Sequence, residues 1–139
     1  MISALVLLTL GVAPDAPLPV AISTALAKQW PAARVLKVEP EPNGAFEVEL
    51  TDATGRFELK FDSSGKLLGE ERVVALSETP PAVQKRIASW KGWAVERIER
   101  VTEGSVTTYE IVAKQHKGVP MEITLSAAGL ELRRQAATE

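Results

Sequence analysis

The chain repeats itself, and a fixed internal period constrains architecture more than any local motif does. Phe46-Glu47-Val48-Glu49-Leu50 returns about 60 residues later as Tyr109-Glu110-Ile111-Val112-Ala113. Phe57-Glu58-Leu59-Lys60-Phe61 returns as Met121-Glu122-Ile123-Thr124-Leu125. Asp62-Ser63-Ser64-Gly65-Lys66-Leu67-Leu68 returns as Ser126-Ala127-Ala128-Gly129-Leu130-Glu131-Leu132. The three blocks keep their order. A supersecondary unit has therefore been used twice, as repeat one over 18–74 and repeat two over 77–135.

Each repeat begins as a helix. Pro19 suits a first helical turn, Ile22, Leu26 and Trp30 follow at helical spacing, and Pro31 stops the run. In repeat two Thr79 is the expected N-cap, Pro80 the first helical residue, and Val83, Ile87 and Trp90 the apolar stripe, with Gly92 ending the helix. Strand-like segments follow. Val35 and Val38, like Val95 and Ile98, are apolar pairs three apart, which predicts a bulge or strong twist. Phe46, Val48 and Leu50 alternate with Glu47 and Glu49, and Phe57, Leu59 and Phe61 with Glu58 and Lys60. In repeat two the turn His116-Lys117-Gly118 leads into Val119, Met121, Ile123 and Leu125. Asp62-Ser63-Ser64-Gly65 turns into a fourth strand from Lys66, and its counterpart starts after Gly129.

Short turns join antiparallel neighbours, so each repeat reads as a helix and a four-stranded meander. The fold class is α+β: two tandem helix-plus-four-strand repeats forming one antiparallel sheet of about eight strands, with two helices packed on one face. The other face is expected to be wet. At 139 residues, with 45% hydrophobic and 24% charged residues, the chain suits one domain, taken as 17–139. Ile2 to Ala13 is an apolar run too short to span a membrane and the right size for a signal-peptide core, so 1–16 is read as a signal peptide and the mature chain as having no membrane span. A buried terminal strand or helix is the alternative.

Little in the sequence carries chemistry. There is no cysteine, which excludes disulfides, thiol catalysis and Cys-based zinc sites. A net charge of −2 gives no electrostatic reason to bind nucleic acid. His116, the one histidine, lies in a lysine-flanked turn without a nucleophile motif, so no catalytic residue, metal site or cofactor is expected and the chain is read as no enzyme. Asp62-Ser63-Ser64-Gly65 lacks the further oxygen ligands of a calcium loop and reads as a turn. What remains is the wet face, with Glu47, Glu49, Glu58, Lys60, Glu110, Glu122 and Thr124 as candidate binding residues. Paired carboxylates there could take a hard cation, and cross-strand ion pairs account for the pattern equally well. Trp30 and Trp90 are expected to pack on the sheet, and Trp93 is the candidate exposed aromatic of a protein contact.

Leu18-Pro19, the helix ending in Trp30-Pro31, Ala33-x-Val35-x-x-Val38-Glu39, Phe46-Glu47-Val48 and Phe61-Asp62-x-x-Gly65-x-Leu67 together resemble the PepSY-like domains of bacterial secreted proteins, related in fold to the β-lactamase inhibitory protein. The second copy fits more loosely, with Leu125-Ser126 where Phe61-Asp62 stands in the first. The resemblance implies tandem units sharing one sheet, a periplasmic or secreted location, and a non-catalytic binding or inhibitory role. The implied partner is a protein of the cell envelope, a peptidase among the candidates, met through the open sheet face. The alternative from the residues is a small-ligand or cation sensor on the acidic face.

Overall fold

The computed structural model describes residues 17–138. The signal-peptide assignment to 1–16 falls outside them. The elements run α1 (Val20–Gln29), β1 (Arg34–Pro40), β2 (Phe46–Asp52), β3 (Gly55–Phe61), β4 (Leu67–Val73), a 3-10 turn (Leu76–Glu78), α2 (Pro81–Ala88), β5 (Trp93–Glu103), β6 (Val106–Gln115), β7 (Met121–Ser126) and β8 (Glu131–Ala136). The eight strands lie in one open antiparallel sheet in chain order, β1 to β8. Two helices and eight strands in this order are the architecture the internal repeat predicts. No helix among the described residues is long and apolar enough to cross a membrane.

Two compact units are distinguishable. One holds 17–73 with Val101–Val106, and the other holds Val74–Arg100 with 107–138. In the first, Ile22 and Leu26 of α1 pack on Val38, Val48, Leu50, Phe57, Leu59 and Phe61. Trp30 caps the helix and meets Phe61 edge-on, ring centroids 6.1 Å apart. Alternation along β2 and β3 sends these apolar residues to one side and Glu47, Glu49, Glu58 and Lys60 to the other. In the second unit, Val83 and Ile87 of α2 pack on Ile98, Tyr109, Ile111, Ala113, Ile123 and Leu125.

The bulge expected in β1 is present. The register skips between Val35 and Lys37, so Val35 faces Leu50 and Val38 faces Val48 on the helix side. A second irregularity recurs in both repeats, between Lys60 and Phe61 and between Thr124 and Leu125. The turn glycines recur as well. Gly65 and Gly129 have φ of +83° and +79°, and a Cβ on either would stand 2.6 Å from a helix carbonyl oxygen, that of Ala21 or Ala82. Only glycine satisfies both the left-handed backbone and this approach of turn to helix.

Three local expectations are corrected. Helix α2 starts one residue later than its Thr-Pro signal suggests: Pro80 is the N-cap and Pro81 the first helical residue. Thr79 instead donates its hydroxyl to the Leu76 carbonyl, closing the preceding 3-10 turn. The helix also ends early, with Ser89 as C-cap, so Trp90 and Gly92 lie beyond it. Val119 is not on the β7 strand but exposed ahead of it, since β7 begins only at Met121, after Pro120.

Candidate functional site

Both helices of the described residues lie on the apolar side, so no helix among the described residues covers the charged side of either unit. In the first unit this face is two rows of side chains set by strand register. One row runs Lys37, Glu49, Glu58 and Glu71 across β1 to β4, and the next runs Glu39, Glu47, Lys60 and Gly69. Three glutamates therefore stand directly opposite one another on consecutive strands. Cations sit mostly at the margins: Arg56 reaches Glu49 at 3.2 Å, Lys60 reaches Glu41 at 3.7 Å, and Lys37 pairs with Glu39 at 2.6 Å.

The consequence falls on Glu58. Burial, a hydrogen bond to Glu47, and the charges of Glu47, Glu71 and Glu49 push its carboxyl up to about 9. At neutral pH Glu58 is protonated and donates to Glu47. Like carboxylates so close cannot all ionise. Elsewhere in the unit carboxylates are held ionised by turn geometry: Asp52 by the hydroxyl and N–H of Thr54, and Asp62 by the Ser64 hydroxyl and the N–H groups of Lys66 and Ser64. Asp62-Ser63-Ser64-Gly65 is thus a turn whose carboxylate serves its own backbone.

In the second unit, Glu110 and Glu122 are buried rather than wet, and Thr124 is half-buried. Arg133 of β8 lies opposite Thr124 and reaches Glu122 at 3.0 Å and Glu110 at 3.8 Å. Gln135 lies opposite Glu122 and donates to it at 3.0 Å. The Thr124 hydroxyl is buried without a hydrogen-bond partner. Beside this cluster a half-open groove of about 480 Å³ is walled by Val112, Val119, Pro120 and Ala136, with Glu99 and Glu122 among its polar lining. Arg97 holds the buried Glu99 at 2.9 Å, and Lys114 holds Glu96 at 3.4 Å.

The candidate residues thus divide between two settings. Glu47, Glu49, Glu58 and Lys60 come together on the first face, and Glu110, Glu122 and Thr124 on the second. Trp93 is half-buried, packs on the core with Trp90 (centroids 6.4 Å apart), and carries the Arg134 guanidinium 5.3 Å from its ring centre. His116 is exposed in its turn. Sequence reasoning passed over Glu71, Arg133 and Gln135. Their strands do not alternate cleanly, and the recurrent irregularity beside Lys60 and Thr124 shifts the phase that decides which side they face.

Comparison with known proteins agrees with this architecture. Residues 10–69 match the family model described as "Putative beta-lactamase-inhibitor-like, PepSY-like". A DUF2874 family protein from Bacteroides ovatus is similar at 17% identity and TM-score 0.75, over 90% of this chain and 91% of that one. A BLIP-like protein from Bacteroides fragilis is similar at 22% identity and TM-score 0.70, over 93% and 91%. A structure from Bacteroides eggerthii described among "putative periplasmic proteins" is similar at 17% identity and TM-score 0.77, over 88% and 91%. Comparison with curated proteins gives no match. The fold is PepSY-like and related to that of BLIP-like proteins.

Proposed function

We propose that this chain is a non-catalytic binding module of the periplasm or the secreted fraction, and that it engages a protein of the cell envelope through the open sheet face and its loops. The observation that carries the reading is the one-sided cover: α1 and α2 pack on the apolar side, and no helix among the described residues lies over the charged side of the strands. The likeness to BLIP-like and periplasmic relatives supports the same reading, and a peptidase is the partner class the PepSY resemblance implies. No nucleophile, acid–base pair or histidine constellation is needed for such a role. The exposed His116 has no place in it.

The test is capture from a periplasmic extract with the tagged mature chain, repeated with Glu47→Lys and Glu58→Lys and with folding checked by circular dichroism. A partner retained by the native face and lost on charge reversal is the expected result. Capture that ignores both reversals, or none at all, overturns the reading.

A second reading, a cation sensor, draws on the row Glu49, Glu58 and Glu71. A cation there would have to displace the proton that Glu58 holds. Calcium titration followed by thermal melting separates the two, since a ligand of the folded state alone raises the midpoint.

A further inference from the structure

The internal repeat supplies its own control for the end of the sheet. β4 and β8 are the same element of the two repeats, with Leu68 standing where Leu132 stands and the same irregularity beside each. β4 has strands on both sides, whereas β8 is an end strand with no described strand on its outer side. Burial follows position by position. Gly69 and Glu71 are buried, and their counterparts Arg133 and Gln135 only half-buried. Leu68, Glu70 and Arg72 are half-buried, and Leu132, Arg134 and Ala136 are exposed.

Hydrogen bonds identify the open groups. The Ala137 N–H donates to the Pro120 carbonyl at 2.9 Å, in register with Gln135 opposite Glu122 and Arg133 opposite Thr124. Antiparallel alternation then spends the main-chain groups of Arg133 and Gln135 on β7 and turns those of Arg134 and Ala136 outward. The Leu132 carbonyl is the equivalent of the Leu68 carbonyl, which accepts from the Gly104 N–H at 3.2 Å within the first unit. The first repeat therefore shows what covers this edge: an antiparallel strand.

A second copy of this chain is a poor source of that strand. On β1 the Glu41 N–H donates inward to the Ala45 carbonyl at 2.8 Å, so Pro40 holds an outward position and has no N–H to give there. The bulge between Val35 and Lys37, and the Lys37 charge, blunt the same edge. Two-fold pairing of β8 with itself about its middle, Arg133 or Arg134, sets an arginine against its own copy. Charge points to a different occupant. Where β4 carries Gly69, Glu70 and Glu71, β8 carries Arg133, Arg134 and Gln135, so the sign is reversed. Each arginine is ion-paired, yet 36% of the Arg133 side chain and 37% of the Arg134 side chain stay exposed. We propose that the outer edge of β8 receives an extended, acidic segment of a protein partner as a further antiparallel strand. Main-chain bonds to Arg134 and Ala136 set its register, carboxylates answer the two arginines, and an apolar side chain covers the exposed Leu132. The inference rests on the protein-binding reading and gives the partner's segment a chemistry.

The probe is an end-blocked peptide of residues 97–104, from the segment that covers β4, carrying Arg97→Glu and Arg100→Glu. It is titrated into the 15N-labelled protein and followed by amide shifts and hydrogen exchange. The unsubstituted peptide, with its two arginines, is the control for charge. The acidic peptide should move the β8 amides saturably and slow exchange at Arg134 and Ala136. Ala136→Pro removes one outward N–H at an exposed edge position and should abolish this. Arg134→Glu should weaken binding by roughly tenfold and turn the preference toward the arginine-bearing peptide. Scattered shifts, unslowed β8 amides, equal binding of the two peptides or indifference to Ala136→Pro would overturn the inference. Slowing that grows with protein concentration and needs no peptide would assign the edge to a second copy and overturn it as well. Peptide binding without any captured partner would leave the edge assigned and remove only the protein-binding reading. A partner lost on reversal of Glu47 and Glu58 but retained by Ala136→Pro would do the reverse.

Discussion

Glu58 and Glu122 occupy the same position in the two repeats, one residue into the same alternation, opposite the same strand neighbour. Their surroundings differ by a few substitutions. Across from Glu58 stand Glu49 and Glu71, and across from Glu122 stand Val112 and Gln135. Lys60 and Gly69 in the neighbouring row become Thr124 and Arg133. The first carboxyl therefore keeps a proton among carboxylates, and the second accepts from a guanidinium and an amide. A duplicated scaffold fixes where a side chain stands. Cross-strand neighbours decide what it does.

The comparison depends on the scaffold being held alike in both copies, and the turn glycines test that most severely. Gly65→Ala and Gly129→Ala should each destabilise by about 2–4 kcal/mol, from left-handed backbone strain together with the clash at the helix carbonyl. Gly104→Ala has the strain without the clash, since nothing lies within 4 Å of its Cβ position, and should cost about 1 kcal/mol. Urea unfolding of the three variants measures this. A loss at Gly129 no greater than at Gly104 would show that the second turn does not bear on its helix.

The next prediction concerns sign. Glu122→Gln removes the charge that Arg133 and Gln135 serve, and should destabilise by on the order of 1 kcal/mol at neutral pH. Glu58→Gln should do the opposite. Glu58 has its folded pKa raised to about 9, above the ordinary value of 4.5. Below 4.5 it is protonated in both states. Between 4.5 and 9 the unfolded chain gives up the proton first, so the folded state binds more protons and stability falls as pH rises. The neutral amide removes that slope. With solvent screening allowed for, the gain at pH 8 relative to pH 5 should be on the order of 1 kcal/mol. Denaturant midpoints across pH 5–9 decide it, and parallel profiles for Glu58→Gln and the native chain would refute the buried proton.

Much of the fold was legible because it is written twice. Alternation in Phe46–Leu50 and Phe57–Phe61 separates core from face, and the same spacing in the second copy confirms the period. The bulge in β1 was legible as Val35 and Val38 on one side of a strand. The candidate face was legible in β2, β3, β6 and β7, where charge alternates with apolar residues. It was not legible in β4 and β8. There the strand irregularities at Lys60–Phe61 and Thr124–Leu125 reset the phase, so Glu71, Arg133 and Gln135 join the face against any reading by simple alternation. Burial was misjudged for the same reason. Glu110 and Glu122 look solvated from β6 and β7 alone, and are sunk beneath the long side chains that β8 brings across them.

The smallest effect sharpens the contrast at the position where lysine became threonine. The Thr124 hydroxyl is buried beside Arg133 with no hydrogen-bond partner, so it lost its water on folding and recovered nothing. Valine has nearly the same shape and no hydroxyl to desolvate. Thr124→Val should therefore be neutral to stabilising by about 0.5–1 kcal/mol, against the usual cost of altering a buried side chain. At the equivalent site, Lys60 reaches Glu41 at 3.7 Å across a partly exposed surface, and Lys60→Val should lose up to about 0.5 kcal/mol. Thermal unfolding of the pair at neutral pH, each against the native chain, measures two small shifts of opposite sign. Loss of stability in Thr124→Val would mean that the hydroxyl is satisfied after all, and that this position of the second face is as well paired as its counterpart in the first.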